Sequence, residues 1–154
     1  MQIKELATDI EIKDSFKIMS QIYQDLDEKT YIINVSNAII NGYKMTAVYK
    51  EGKIVAVIGI IVCDNIKYGK IVRIEDFMIC RSNRGIGAGK MLLKWVDWQA
   101  LEFKTDIIMS NLSSERKESH KIFMREGFVI DGINFLKGWV RQLSNLTLII
   151  SFLF

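Results

Sequence analysis

The run Ile54-Val55-Ala56-Val57-Ile58-Gly59-Ile60-Ile61-Val62-Cys63 carries no charge and is dominated by β-branched residues. Such a segment reads as a buried strand, so whatever fold forms must be organised around a sheet. Its neighbours agree. Tyr43–Lys50 reads as a strand and Glu51-Gly52-Lys53 as a tight turn, which together predict a hairpin. After the polar loop Asp64–Gly69, Lys70–Ile79 reads as a third strand of the same meander. The chain contains no proline, so glycine, asparagine and aspartate punctuate it.

Helical periodicity frames this meander. Asp14 is placed to cap a first helix, because Phe16, Met19, Ile22/Tyr23 and Leu26 recur at helical spacing. Asp27-Glu28-Lys29 interrupts that pattern, and a second helix runs through Tyr31, Ile32, Val35 and Ile39 to a left-handed stop at Asn41-Gly42. Beyond the meander, Gly87–Phe103 reads as an amphipathic helix with Met91, Leu92, Trp95, Trp98 and Leu101 inward. Ile107–Met109 follows as a short strand and residues from about Ser114 to Arg125 as a helix stopped by Gly127. Short strands are predicted at Phe128–Ile130 and Asn134–Lys137. The expected class is α+β, with a mixed, mostly antiparallel sheet flanked by helices.

Composition excludes several functions. A chain of 154 residues with 49% hydrophobic and 25% charged residues is sized and balanced for one globular domain, not for disorder. A net charge of +3, from scattered Lys and Arg without interleaved aromatics, gives no reason to expect nucleic acid. Cys63 and Cys80 make no disulfide framework, and with the single His120 they form no metal-ligand cluster, so no metal is expected. No apolar run approaches the ~20 residues of a membrane helix, and Met1–Glu5 is charged where a leader needs an apolar core. A cytoplasmic chain without a membrane partner is expected.

Chemistry enters at Arg84-Gly85-Ile86-Gly87-Ala88-Gly89-Lys90, between a strand and an amphipathic helix. The glycines let a ligand approach the backbone, the helix start presents unbonded N–H groups, and Arg84 and Lys90 add positive charge. That combination suits phosphate oxygens. A P-loop is excluded because Lys90-Met91 lacks the Gly-Lys-Ser/Thr ending. The segment fits a dinucleotide fingerprint poorly, because the G-x-G-x-x-G spacing is missing and no βαβ unit precedes it.

The segment Arg84–Gly89 resembles the coenzyme A loop of the GNAT acetyltransferases, Gln/Arg-x-x-Gly-x-Gly/Ala. Arg73-Ile74-Glu75-Asp76-Phe77-Met78-Ile79 looks like that family's central strand. Arg116–Phe128 is similar to its R-x-x-A-H-x-F-Y-x-x-x-G-F block. The resemblance spans about residues 1–140, which would form the acetyltransferase domain. It implies a splayed sheet that admits acetyl-CoA, with the pantetheine arm against Phe77, Met78 and Ile79 and the pyrophosphate on Arg84, Gly85, Ile86, Gly87, Ala88, Gly89 and Lys90. Asn111, Arg116 and Phe123 are further coenzyme-side candidates. The acceptor, a primary amine on a small molecule or a peptide, would approach from the side of the first two helices. A non-catalytic acyl-CoA-binding or regulatory module of the same fold is the alternative.

Transfer to an amine needs that amine deprotonated and aligned on the thioester. Glu75 and Asp76 are the acidic candidates, and simple strand alternation puts them on opposite faces. Phe123 stands where many relatives carry a tyrosine hydroxyl near the thiolate, so the proton donor is missing from its usual place. Past Gly138, residues 141–154 end in the apolar Leu146–Phe154. This extension is expected to be buried, as an added edge strand or at a self-association interface, and a homodimer is favoured.

Overall fold

A computed structural model describes residues 1–113 and 115–132. Five strands form one sheet in the order β1-β2-β3-β4-β5: β1 (Gln2–Leu6), β2 (Tyr43–Lys50), β3 (Lys53–Asn65), β4 (Gly69–Ile79) and β5 (Ile108–Ser110). The first four run antiparallel and β5 runs parallel to β4, so the sheet is mixed as the sequence predicts. Helices α1 (Asp9–Met19) and α2 (Glu28–Ile40) lie before the meander; α3 (Ala88–Glu102) and α4 (Lys117–Arg125) follow it.

Two apolar layers enclose the sheet. Ile12, Met19, Tyr31 and Val35 from α1 and α2 pack on Met45, Ala47, Val57 and Met78. Leu92, Val96 and Ala100 from α3, with Phe123 from α4, pack on Ile58, Ile60, Val72, Ile74 and Phe77. Consecutive β3 residues therefore feed opposite layers, which is why that strand reads as an unbroken apolar run.

Several local expectations are corrected. Helix α1 starts earlier than Asp14: Thr8 is its N-cap, and a capping box joins Thr8 to Glu11. Strand β1 was not foreseen; only Leu6 of its side chains is fully buried, so its sequence looks polar. On α3 the buried stripe is Leu92, Leu93, Val96, Gln99 and Ala100, while Trp98 and Leu101 are exposed. Gln99 is tolerated inside because its Oε1 accepts from Lys44 Nζ at 3.1 Å. Residues 128–130 form no strand, and Val129 and Ile130 are exposed. The expected strand Asn134–Lys137 and the apolar extension 141–154 lie outside the described residues.

Candidate active site

The site begins where the pairing of two parallel strands ends, because β5 stops at Ser110 while β4 runs on to Ile79. β4 and β5 pair at Val72–Ile108, Arg73–Met109 and Ile74–Ser110, and the pairing ends there. The next residue of β4 is a bulge: adjacent Gly59 and Ile60 of β3 face Asp76 and Ile74, which leaves Glu75 without an opposite number. One inserted residue inverts the alternation downstream. Ile74 and Phe77 consequently share the α3 layer, while Met78 joins the α1/α2 layer. Cys80 N–H donates to Val55 O on the β3 side at 2.8 Å. The backbone groups of Phe77 and Ile79, one step out of phase, therefore face the gap.

Asp76 projects into a tyrosine cluster. Tyr23 donates to its Oδ1 and Tyr43 to its Oδ2, the latter at 2.5 Å. Tyr43 fits there only because position 59 is glycine: a Cβ on Gly59 would lie 1.7 Å from the Tyr43 hydroxyl. Burial first, and then the Asp76 charge, push the hydroxyls of Tyr23 and Tyr43 well above the ordinary tyrosine value, so both stay protonated as donors. Tyr31 beside them is pushed up to about 12, mainly by burial. Ser15 donates to Ile12 O at 2.6 Å, so its oxygen accepts from the Tyr31 hydroxyl at 2.7 Å. Glu75 is exposed instead and bonds Arg73 Nε.

On the other side of the gap lies the glycine loop. Gly85 and Gly87 have φ of 81° and 89°, and nothing stands within 4 Å of where their Cβ atoms would be. Gly87 is the N-cap of α3 with no side-chain cap, and the first intrahelical bond runs from Met91 N–H to Gly87 O at 3.0 Å. The amides of Ala88, Gly89 and Lys90 are thus the open N–H groups of a helix start, with the positive end of its dipole. Arg84 and Lys90 are exposed beside them, and neither enters an ion pair among the described residues. Gly89 brings the first turn against β4: a Cβ there would sit 2.6 Å from Ile79 Cδ1 and 3.3 Å from Phe77 Cζ.

Residues 9–128 match the model of the acetyltransferase (GNAT) family. The chain belongs to that family. An uncharacterized N-acetyltransferase of Bacillus subtilis, YhdJ, is 30% identical over 142 residues, covering 89% of this chain and 98% of the relative. A ribosomal-protein-alanine N-acetyltransferase from Brucella melitensis superposes with a TM-score of 0.78 at 12% identity, over 90% of this chain and all of that one. The aminoglycoside N-acetyltransferase AAC(6')-Iy, solved in complex with CoA, gives 0.75 at 15% identity over 89% and 93% of the two chains. At these identities the structural likeness is one of fold. This GNAT protein is an acyltransferase of the N-acetyltransferase type.

The GNAT block after β5 is arranged around Arg116. Its Nη2 donates to Phe77 O and lies 3.8 Å from Met78 Sδ, so the guanidinium rests on the open edge of β4. Burial lowers its pKa from the usual arginine value, and neighbouring Tyr23 and Asp76 oppose that change. His120 serves the backbone: its Nε2 meets Ser113 O at 2.9 Å and ties α4 to the loop before it. Phe123 is buried, edge-on to Phe77 at 5.0 Å and 4.7 Å from the Phe128 ring. Asn111 is exposed, and no cluster able to hold a metal ion occurs among the described residues. The loop, the β4 edge, Asp76 and Arg116 are brought together; Glu75 sits at the bulge, exposed and bonded to Arg73, and Asn111 is exposed. Tyr23, Tyr43 and Gly59 were missed by sequence reasoning, because isolated tyrosines and a strand glycine look like core.

Proposed function

We propose that this protein transfers the acetyl group of acetyl-CoA directly to a primary amine of a small molecule or a peptide. The observation that carries this reading is the bulge at Glu75, which turns Asp76 toward the α1/α2 layer while leaving the Phe77 and Ile79 backbone facing the gap. The residues fit the coenzyme: open helix amides and the exposed Arg84 and Lys90 suit its pyrophosphate, and a strand edge suits its pantetheine amides. Acetyl-CoA, when bound, supplies an activated thioester. Asp76, anchored by two protonated tyrosines, holds the incoming ammonium and takes its proton directly or through a water. Backbone N–H groups on the β4 edge can receive charge at the thioester oxygen.

Arg116 already occupies part of that strand edge. Its guanidinium occupies Phe77 O, one of the groups a pantetheine amide would use. Coenzyme entry therefore requires Arg116 to swing off that carbonyl, and the phosphates are the anions that would attract it.

The cytoplasm and a homodimer complete the proposal. Among the described residues no helix is long and apolar enough to cross a membrane. A regulatory acyl-CoA-binding module is the second reading, favoured by Phe123, whose ring has no proton to donate. Calorimetric titration with CoA, followed by thiol release from acetyl-CoA across a panel of aminoglycosides, polyamines and peptide N-termini, tests both. Tight binding with no thiol release on any amine would favour the module.

A further inference from the structure

We propose that Ser110 is a catalytic residue whose hydroxyl donates a hydrogen bond to the coenzyme sulfur as the thiolate departs, an inference that rests on the acetyl-CoA reading above. Ser110 is the last paired residue of β5, set opposite Ile74 where the pairing of the two strands ends. Its Oγ is buried and has no hydrogen-bond partner among the described residues. A buried hydroxyl without a partner is destabilising, so its retention at the apex of a ligand gap calls for a partner that arrives with the ligand.

Direction supports the assignment. Residues paired across a parallel ladder point to the same face, and Ile74 points into the α3 layer. Ser110 therefore faces the coenzyme loop and α4, and Asp76 faces the opposite, acceptor layer. Ile74 and Asp76 flank the single bulged residue Glu75 and so lie no more than roughly 7 Å apart along the strand, which lets an acetyl group held between the faces meet both groups. Phe123 has no hydroxyl, and His120 is engaged with Ser113 O, so among the described residues Ser110 is the unengaged buried hydroxyl beside Ile74 on this face.

The step balances without proton transfer from serine, whose hydroxyl is far too weak an acid to protonate a thiolate. The amine, relieved of one proton by Asp76, forms the N–C bond; the C–S bond breaks and its electron pair passes to sulfur. The second nitrogen proton, lost as the amide forms, reaches the thiolate through solvent. Ser110 only stabilises the negative sulfur in the interval.

Thr46 Oγ1 is the second buried, unpartnered hydroxyl, but it lies on β2, away from the gap. It provides the control. The readout is the pKa of the CoA thiol bound to the intact protein, followed by thiolate absorbance, with kcat measured on any amine the wild type accepts. Ser110→Ala should raise the bound thiol pKa by about one unit and lower kcat by about 10-fold or more, the scale of a lost hydrogen bond to a charged group. KM for acetyl-CoA should hold, Ser110→Thr should restore both readouts, and Thr46→Val should change neither. An unchanged thiol pKa and kcat in Ser110→Ala would overturn the proposal, as would equal losses in the alanine and threonine variants. Failure of the wild type to bind CoA would instead overturn the coenzyme reading itself.

Discussion

Replacing Gly59 by alanine is a small change with a large expected effect. The new Cβ would lie 1.7 Å from the Tyr43 hydroxyl and 2.2 Å from its Cζ, and Tyr43 is 8% exposed, so the ring has little room to yield. Overpacking of this kind costs about 1–3 kcal/mol. Displacing the ring also breaks its bond to Asp76, a charge-assisted contact of about 1.5–3 kcal/mol. The sum is about 4 kcal/mol, near the upper range for a single substitution, and for a chain of this size it lowers Tm by roughly 10 °C. Tyr43→Phe removes only the hydroxyl and should cost less. The double variant tests the mechanism, because Gly59→Ala has already broken the hydrogen bond. Its loss should fall short of the sum of the two singles by about the energy of that bond. Differential scanning calorimetry with thiol release as a parallel activity assay reads all four proteins. A Gly59→Ala protein with wild-type Tm and turnover would refute the placement of Tyr43 over Gly59.

Gly87→Val should lose CoA affinity at least 10-fold by calorimetry, because φ of 89° is strained for a β-branched residue and its side chain would crowd the open amides. Phe123→Leu should cost about 1–3 kcal/mol in chemical denaturation, since it gives up two aromatic contacts along with part of the buried area. Glu11 is held at about 2 against an ordinary 4.5, chiefly by its bond to Lys4 and then by the Ala7 and Thr8 amides. Its contribution is therefore present above about pH 4.5 and disappears as pH falls toward 2; Glu11→Gln should flatten that part of an acid-unfolding curve. The tyrosine cluster works in the other direction. With Tyr31 raised to about 12 from 10, stability should fall as pH rises between those values, and Tyr31→Phe should reduce the loss.

Much of this architecture is legible in the residues. The three-strand meander, the glycine loop and α3 follow from an uncharged β-branched run, from tight-turn residues and from an amphipathic period, all local signals. What escaped depends on partners far away in sequence. Gln99 looks like a surface residue until Lys44 satisfies it, and Trp98 looks like core although it is 56% exposed. The bulge at Glu75 escaped for the same reason. Alternation along β4 is visible in the sequence, but its interruption is decided by register against Gly59 and Ile60. The candidate carboxylates were both identified, whereas their environments came only from Arg73, Tyr23 and Tyr43. The Thr8–Glu11 capping box was a readable signature that the apolar spacing around Phe16 obscured.

Acetyl transfer is expected to occur at Asp76, beside the open edge of β4 beyond its pairing with β5. Thiol release from acetyl-CoA should be measured for the wild type, Asp76→Asn and Glu75→Gln with one accepted amine, alongside CoA affinity for each. Expected are an unchanged CoA affinity throughout, a fall in turnover of about 100-fold or more for Asp76→Asn, and a much smaller change for Glu75→Gln. Turnover by Asp76→Asn equal to the wild type, or a larger loss in Glu75→Gln, would contradict it.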